Sequence, residues 1–221
     1  MNLPQPVEHI AHRGAKREFA ENTVSAFRRA VERGADGIEL DVHVTSDGIV
    51  VVHHDPDVAL AAGRQAIAEM AWSELTHAAS DVPRLLDVLD VVPHDVTLYV
   101  ELKGRAVEDC VAALVGASKR CAVHSFDHSE VARMGQLAPE LPRGILFDHY
   151  PADVEASMRY AGARDVWPEW RLIDQRLVST VHAAGGRVIA WTVNGRSAAE
   201  RLAALGVDGL CTDDVRLLEG L

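Results

Sequence analysis

Basic residues are in short supply: 22 Lys and Arg stand against 33 Asp and Glu, a formal net charge of −11. A nucleic-acid surface needs a basic stripe, so this balance argues against polymer binding while leaving room for a small basic pocket. Cysteine is scarce too. Cys110, Cys121 and Cys211 are odd in number and widely spaced, forming neither a disulfide framework nor paired zinc ligands, which suits a reducing compartment. No apolar run nears the ~18 residues of a membrane span. Met1–Ile10, with Pro4, Pro6 and Glu8, has no apolar segment of signal-peptide type, so a cytoplasmic location is expected. Linkers, low-complexity tracts and repeats are missing as well. The chain, 48% hydrophobic over 221 residues, is therefore expected to form one domain across residues 1–221 with ample core.

What is present is an alternation of short apolar runs and amphipathic stretches, the signature of parallel strands joined by crossover helices. Strands are predicted at His9–Ala11, Gly37–Thr45, Ile49–His54, Thr97–Leu102, Ala122–Ser125, Gly144–Phe147, Asp165–Trp167, Val188–Thr192 and Gly209–Cys211. Helices are predicted at Thr23–Arg33, Arg84–Val91, Val107–Ala117, Ser129–Leu137, Ile173–Ala184 and Ala198–Leu205. Asn22 and Pro83 read as helix starts, and Gly34, Gly185 and Gly206 as helix ends. Nine strands are one too many for a (β/α)8 barrel. However, only Ser46-Asp47-Gly48 separates Gly37–Thr45 from Ile49–His54, and Asp-Gly between apolar runs signals a hairpin. A parallel neighbour would need a crossover of about a dozen residues. Ile49–His54 is therefore an antiparallel arm, and eight parallel strands remain for an α/β barrel.

The first strand ends in His12-Arg13-Gly14. Glu39 and Asp41 stand at i and i+2 on the second strand, so they share one face about 7 Å apart. A hairpin centred near Asp47 brings His54 across from them and turns His53 away; His43 shares the acidic face nearer the tip. Glu101 and Lys103 form another i, i+2 pair at the end of the next parallel strand. Barrels gather their active sites at the C-terminal ends of strands, so these residues meet at one mouth. Three carboxylates suit an oxygen-liganded Mg²⁺, Ca²⁺ or Mn²⁺ better than zinc. Arg13 and Lys103 can neutralise phosphate oxygens, and two histidines can divide general acid and base work.

The order of these motifs resembles the glycerophosphodiester phosphodiesterase family. His12-Arg13-Gly14, Glu21-Asn22-Thr23 and Gly34–Val42 match its opening, followed by Thr45-Ser46-Asp47-Gly48 and Val51–Asp55. Glu101-Leu102-Lys103, Ser125-Phe126, Trp191–Asn194, Gly206–Gly209 and Thr212-Asp213 continue the match to the end. The resemblance implies a TIM barrel that hydrolyses glycerophosphodiesters to sn-glycerol 3-phosphate and an alcohol with a divalent cation. It implies Glu39, Asp41 and Glu101 as metal ligands, His12 and His54 as the acid/base pair, and Arg13 and Lys103 on the phosphate. Trp191 is implied as a wall beside the glycerol. One departure stands out. Asp57-Val58-Ala59-Leu60-Ala61-Ala62-Gly63 replaces the family's usual Leu-x-Arg-Thr-Thr run, and Asp55–Pro83 is short, so the cover over the site is expected to be reduced.

Structural readings compete at several positions. A buried His12 could serve a backbone carbonyl, Glu101 and Lys103 could be a surface pair, and capping explains Asn22 without chemistry. The rival functions are a lysophospholipase D-like or sphingomyelinase D-like lipid phosphodiesterase, and an inactive binding barrel. The last would have lost a histidine or an acidic ligand, and none is lost. An amidohydrolase-type barrel would need paired His-x-His ligands on its first strand, which are absent.

Overall fold

The computed structural model describes residues 7–60, 63–104, 107–115 and 118–221. Along the chain, β1 (Glu8–His12) leads through α1 (Val24–Glu32) to β2 (Gly37–Val44), and a hairpin returns as β3 (Val50–Val52). A small antiparallel ribbon follows, β4 (Asp57–Leu60) with β5 (Gly63–Ala66), then α2 (Trp72–Ala78) and α3 (Leu85–Val91). From there strand and helix alternate. β6 (Thr97–Leu102), α4 (Val107–Val115), β7 (Cys121–Ser125) and α5 (His128–Leu137) come first. β8 (Arg143–Phe147), α6 (Val154–Ala161), β9 (Asp165–Pro168), α7 (Gln175–Ala183), β10 (Arg187–Ala190), α8 (Arg196–Leu205) and β11 (Gly209–Thr212) complete the chain of elements.

Among the described residues the main sheet has nine strands, of which only β3 is antiparallel. The other eight close on themselves, because β1 pairs in parallel with both β2 and β11. This is the expected TIM barrel with its extra arm. The arm's position follows from the pairing along β2. β6 occupies one edge from Gly37 to Val42, and β1 occupies the other edge only as far as Glu39. β3 takes over that second edge at Val42–Val44, where β1 has ended.

Strands buried on both faces read as apolar runs. Their outer faces pack against the helices, while Ile10, Tyr99, Leu146, Trp167 and Ile189 fill the barrel interior. The plug is tight. A Cβ on Gly144 would come within 2.8 Å of the Trp167 indole nitrogen, so only glycine lets that ring lie there. Below it the Tyr99 hydroxyl donates to Glu8 at 2.8 Å, and Arg187 also reaches Glu8.

Between β3 and α3 the short stretch carries the ribbon and α2, which enclose a minor core with Val58, Ile67 and Leu75. Two details differ from expectation. Helix α6 was not predicted, although Asp153 caps its start and Gly162, at φ 60°, ends it. Asn22 does not start α1. Thr23 does, its hydroxyl accepting from the Ala26 amide at 3.2 Å, while Asn22 sits at φ 58° and turns inward. Gly116 and Ala117, the end of one predicted helix, lie outside the described residues, as do Ala61 and Ala62. No helix among the described residues is long and apolar enough to cross a membrane.

Candidate active site

The site is assembled by strand register. β1 ends with His12 beside Glu39, β6 sets Glu101 beside Asp41, and β7 sets His124 beside Glu101. The hairpin is centred on residue 47, pairing Val42 with Val52 and Val44 with Val50. The His53 amide then donates to the Asp41 carbonyl at 3.0 Å. The mouth holds a cavity of about 110 Å³ lined by His12, Arg13, Glu39, His54, Glu101 and Lys103, together with His124. The rest of its wall is apolar and includes Phe126, Leu146, Trp167 and Trp191. His54 lines it and His53 does not, as the alternation of side chains required. His43 is buried, its ring against the His54 carbonyl at 3.2 Å, and does not line the cavity.

Asp41 lies one layer behind. It is fully buried, 3.1 Å from Arg13 Nε and 3.3 Å from Lys103 Nζ, and it accepts from Asn22 Nδ2 at 2.8 Å. Burial alone would raise its pKa, but Arg13, Lys103 and Asn22 outweigh that and hold it below its usual value. Glu39 and Glu101 move the other way. Burial, reinforced by neighbouring carboxylates, lifts Glu39 well above the ordinary range and pushes Glu101 up to about 7.

Such a donor set fits a divalent cation. Three buried carboxylates face only two cationic side chains, and burial together with the neighbouring carboxylates raises two of them, Glu39 and Glu101, above the ordinary range. Asp41 Oδ1 is buried without a properly directed hydrogen bond. Glu39, Glu101 and His124 each offer a donor atom within 4.8 Å of the others.

Both histidines named in advance are steadied by a carboxylate. His12 Nδ1 lies 2.7 Å from Asp213, which in turn accepts from Asn194 Nδ2 at 2.7 Å. Burial lowers the His12 pKa even against the opposing pull of Asp213. His54 Nδ1 lies 2.9 Å from Asp55, and Arg64, from the ribbon, donates to Asp55 at 2.9 Å. Trp191 is fixed by its indole N–H donating to the Trp167 carbonyl at 2.8 Å and meets Phe126 edge-on at 5.5 Å.

Sequence reasoning missed the side-chain partners. Asp213 and Asp55 stood inside matching motifs without a role, and Asn22 was read as a cap. His124 was overlooked, although an inward His at the end of the strand following Glu101 carries the same alternation signal.

A parallel barrel whose mouth joins carboxylates, three histidines and two cationic side chains is a phosphodiester hydrolase in class. The family model described as the glycerophosphoryl diester phosphodiesterase family matches residues 12–217, and the chain belongs to that family. It is 30% identical to the glycerophosphodiester phosphodiesterase of Caldanaerobacter subterraneus subsp. tengcongensis, over 96% of each chain. It is 28% identical to one from Bacillus altitudinis, covering 92% of this chain and 93% of that one. Among solved structures, the glycerophosphodiester phosphodiesterase of Thermotoga maritima superposes with a TM-score of 0.87 at 26% identity, over 97% of each chain. An Oleispira antarctica phosphodiesterase, solved in complex with the product sn-glycerol-3-phosphate, shares the fold at TM-score 0.87 and 24% identity, over 96% of this chain and 95% of that one.

Proposed function

We propose that this enzyme hydrolyses glycerophosphodiesters to sn-glycerol 3-phosphate and a free alcohol with the help of a divalent cation. The observation that carries this reading is the convergence of His12, His54, Arg13, Lys103, Glu39 and Glu101 on one cavity. Glu39, Asp41 and Glu101 would hold Mg²⁺, Ca²⁺ or Mn²⁺. When bound, the cation neutralises and polarises the phosphate oxygens. Arg13 and Lys103 bind the remaining phosphate charge, and both stay protonated because the buried carboxylates outweigh the cost of their own burial. His12 and His54 divide the proton transfers, one taking the proton from the attacking oxygen and the other giving a proton to the leaving alcohol oxygen, with one water consumed over the whole reaction. Trp191 packs against the glycerol. The Oleispira antarctica phosphodiesterase was solved with sn-glycerol-3-phosphate, which supports the choice of substrate class.

A second reading, hydrolysis of a lipid-bearing diester, is favoured by one feature. A groove of about 710 Å³ adjoins the cavity, sharing Phe126 and Leu146 with it and continuing along Phe147 and Pro151. Rates on deacylated and long-chain substrates separate the two. The catalytic assignment is tested by His12→Ala and His54→Ala, each expected to lower kcat by ~10²-fold or more without loss of fold. Near wild-type turnover in either variant would remove that histidine from the mechanism.

A further inference from the structure

His124 is a buried, titratable side chain with metal-ligating nitrogens at the site, and the proposed reaction leaves it unused. Its exposure is 1%, and its ring is stacked on Trp167 with centroids 4.5 Å apart and planes 11° apart. Its Nδ1 is buried without a hydrogen-bond partner. Its Nε2 faces Glu39 Oε1 at 3.9 Å, too far for a hydrogen bond. A buried imidazole left unbonded is costly, and buried polar groups are rarely left so. With the proton on Nδ1, the Nε2 lone pair points at a carboxylate oxygen, a repulsive arrangement unless something positive lies between them. Glu101 completes the triangle, with all three donor atoms within 4.8 Å of one another. That spacing suits ligands arranged around one cation, whose bonds to nitrogen and oxygen are about 2.0–2.3 Å long.

His12 lies equally far, 3.9 Å, from the other oxygen of Glu39, but its Nδ1 is already partnered by Asp213. It is therefore not left unbonded as His124 is, and variants of the two histidines tell them apart.

We propose that His124 is a nitrogen ligand to the cation shared by Glu39 and Glu101, making the centre a mixed nitrogen–oxygen site for a first-row transition ion such as Mn²⁺. This rests on reading the cavity as a metal site, and it narrows the metal. Mg²⁺ and Ca²⁺ take oxygen donors, whereas imidazole favours transition ions. The flat contact with Trp167 fixes the plane of the ring and so the direction of its lone pair.

The test is pulsed electron paramagnetic resonance on the full-length protein stripped of metal and reloaded with Mn²⁺. Wild type should show coupling to a directly bound imidazole nitrogen, changing isotope pattern when histidine is ¹⁵N-labelled. His124→Phe, which keeps a ring against Trp167, should lose the coupling and bind Mn²⁺ at least ~10-fold more weakly, with a smaller change for Mg²⁺. His12→Ala and His54→Ala should retain the coupling, which assigns it to His124 even if the Phe variant folds poorly. Bound Mn²⁺ without nitrogen coupling, or coupling that survives in His124→Phe, overturns the proposal while leaving an all-oxygen metal site standing. Failure of Mn²⁺ and Mg²⁺ to bind at all would overturn the metal reading itself.

Discussion

Asp213 holds His12 at 2.7 Å and is itself approached by Asn194 and by Lys16 at 3.4 Å. Burial would raise its carboxyl, but the hydrogen bond and charge of His12, with Lys16, hold it down at about 2. A folded-state value below the unfolded one means that this carboxylate stabilises the fold above pH ~4, and that the contribution fades as pH falls toward 2. Asp213→Asn should therefore cost on the order of 1–2 kcal/mol at pH 7, a gap that narrows in acid and is measurable by urea unfolding. The same change leaves His12 free to rotate or switch tautomer, so kcat should fall ~10²-fold or more. Undiminished kcat in that variant would show that His12 needs no orienting partner. At this scale, residues on a strict strand alternation were legible in the sequence: Glu39 with Asp41, and Glu101 with Lys103. Asp213 was not, because 201 positions separate it from His12 and only barrel closure through β1 and β11 joins them.

The element that does most to set the site is the β2–β3 hairpin. Its Asp47 accepts from the Thr45 hydroxyl at 2.6 Å and from the Trp72 amide at 3.0 Å, tying the turn to α2. The turn length alone fixed the register, so its direction and the inward face of His54 could be read before any coordinates. The β4–β5 ribbon could not be foreseen in the same way. Its four-residue strands are short, and their alternation is weak. Yet it reaches the chemistry through Arg64, which contacts both Asp55 and Asp57 beside His54. These groups are half exposed, so the effect on stability should be small. Arg64→Ala is expected to lower kcat a few-fold, by roughly 1 kcal/mol or less in the barrier, with little change in the melting temperature. A kcat equal to wild type would make the ribbon a bystander to His54.

At the scale of the whole molecule, barrel closure and the interior plug determine both stability and the floor of the cavity. Trp167 is 1% exposed, meets Tyr99 edge-on at 5.0 Å, stacks on His124 and lines the site. Trp167→Ala is expected to destabilise the fold by ~3–5 kcal/mol, as read by chemical denaturation, because the space left inside a closed sheet cannot collapse. A loss below about 1 kcal/mol would mean that the barrel interior is far less rigid than its packing indicates. The eight-stave count was legible because parallel strands buried on both faces announce themselves as apolar runs. The plug was not, since nothing in a linear pattern says that Gly144 is empty to admit an indole from the neighbouring strand.

The central claim is that this barrel cleaves a glycerophosphodiester with a cation held among Glu39, Asp41 and Glu101. The direct measurement is release of sn-glycerol 3-phosphate from glycerophosphocholine by the stripped protein, before and after titration with Mg²⁺, Ca²⁺ and Mn²⁺. Turnover should be absent from the stripped protein, return in a saturable manner with at least one of the three ions, and vanish again on chelation. Full turnover by verified metal-free protein, or no sn-glycerol 3-phosphate with any of the ions, would contradict it.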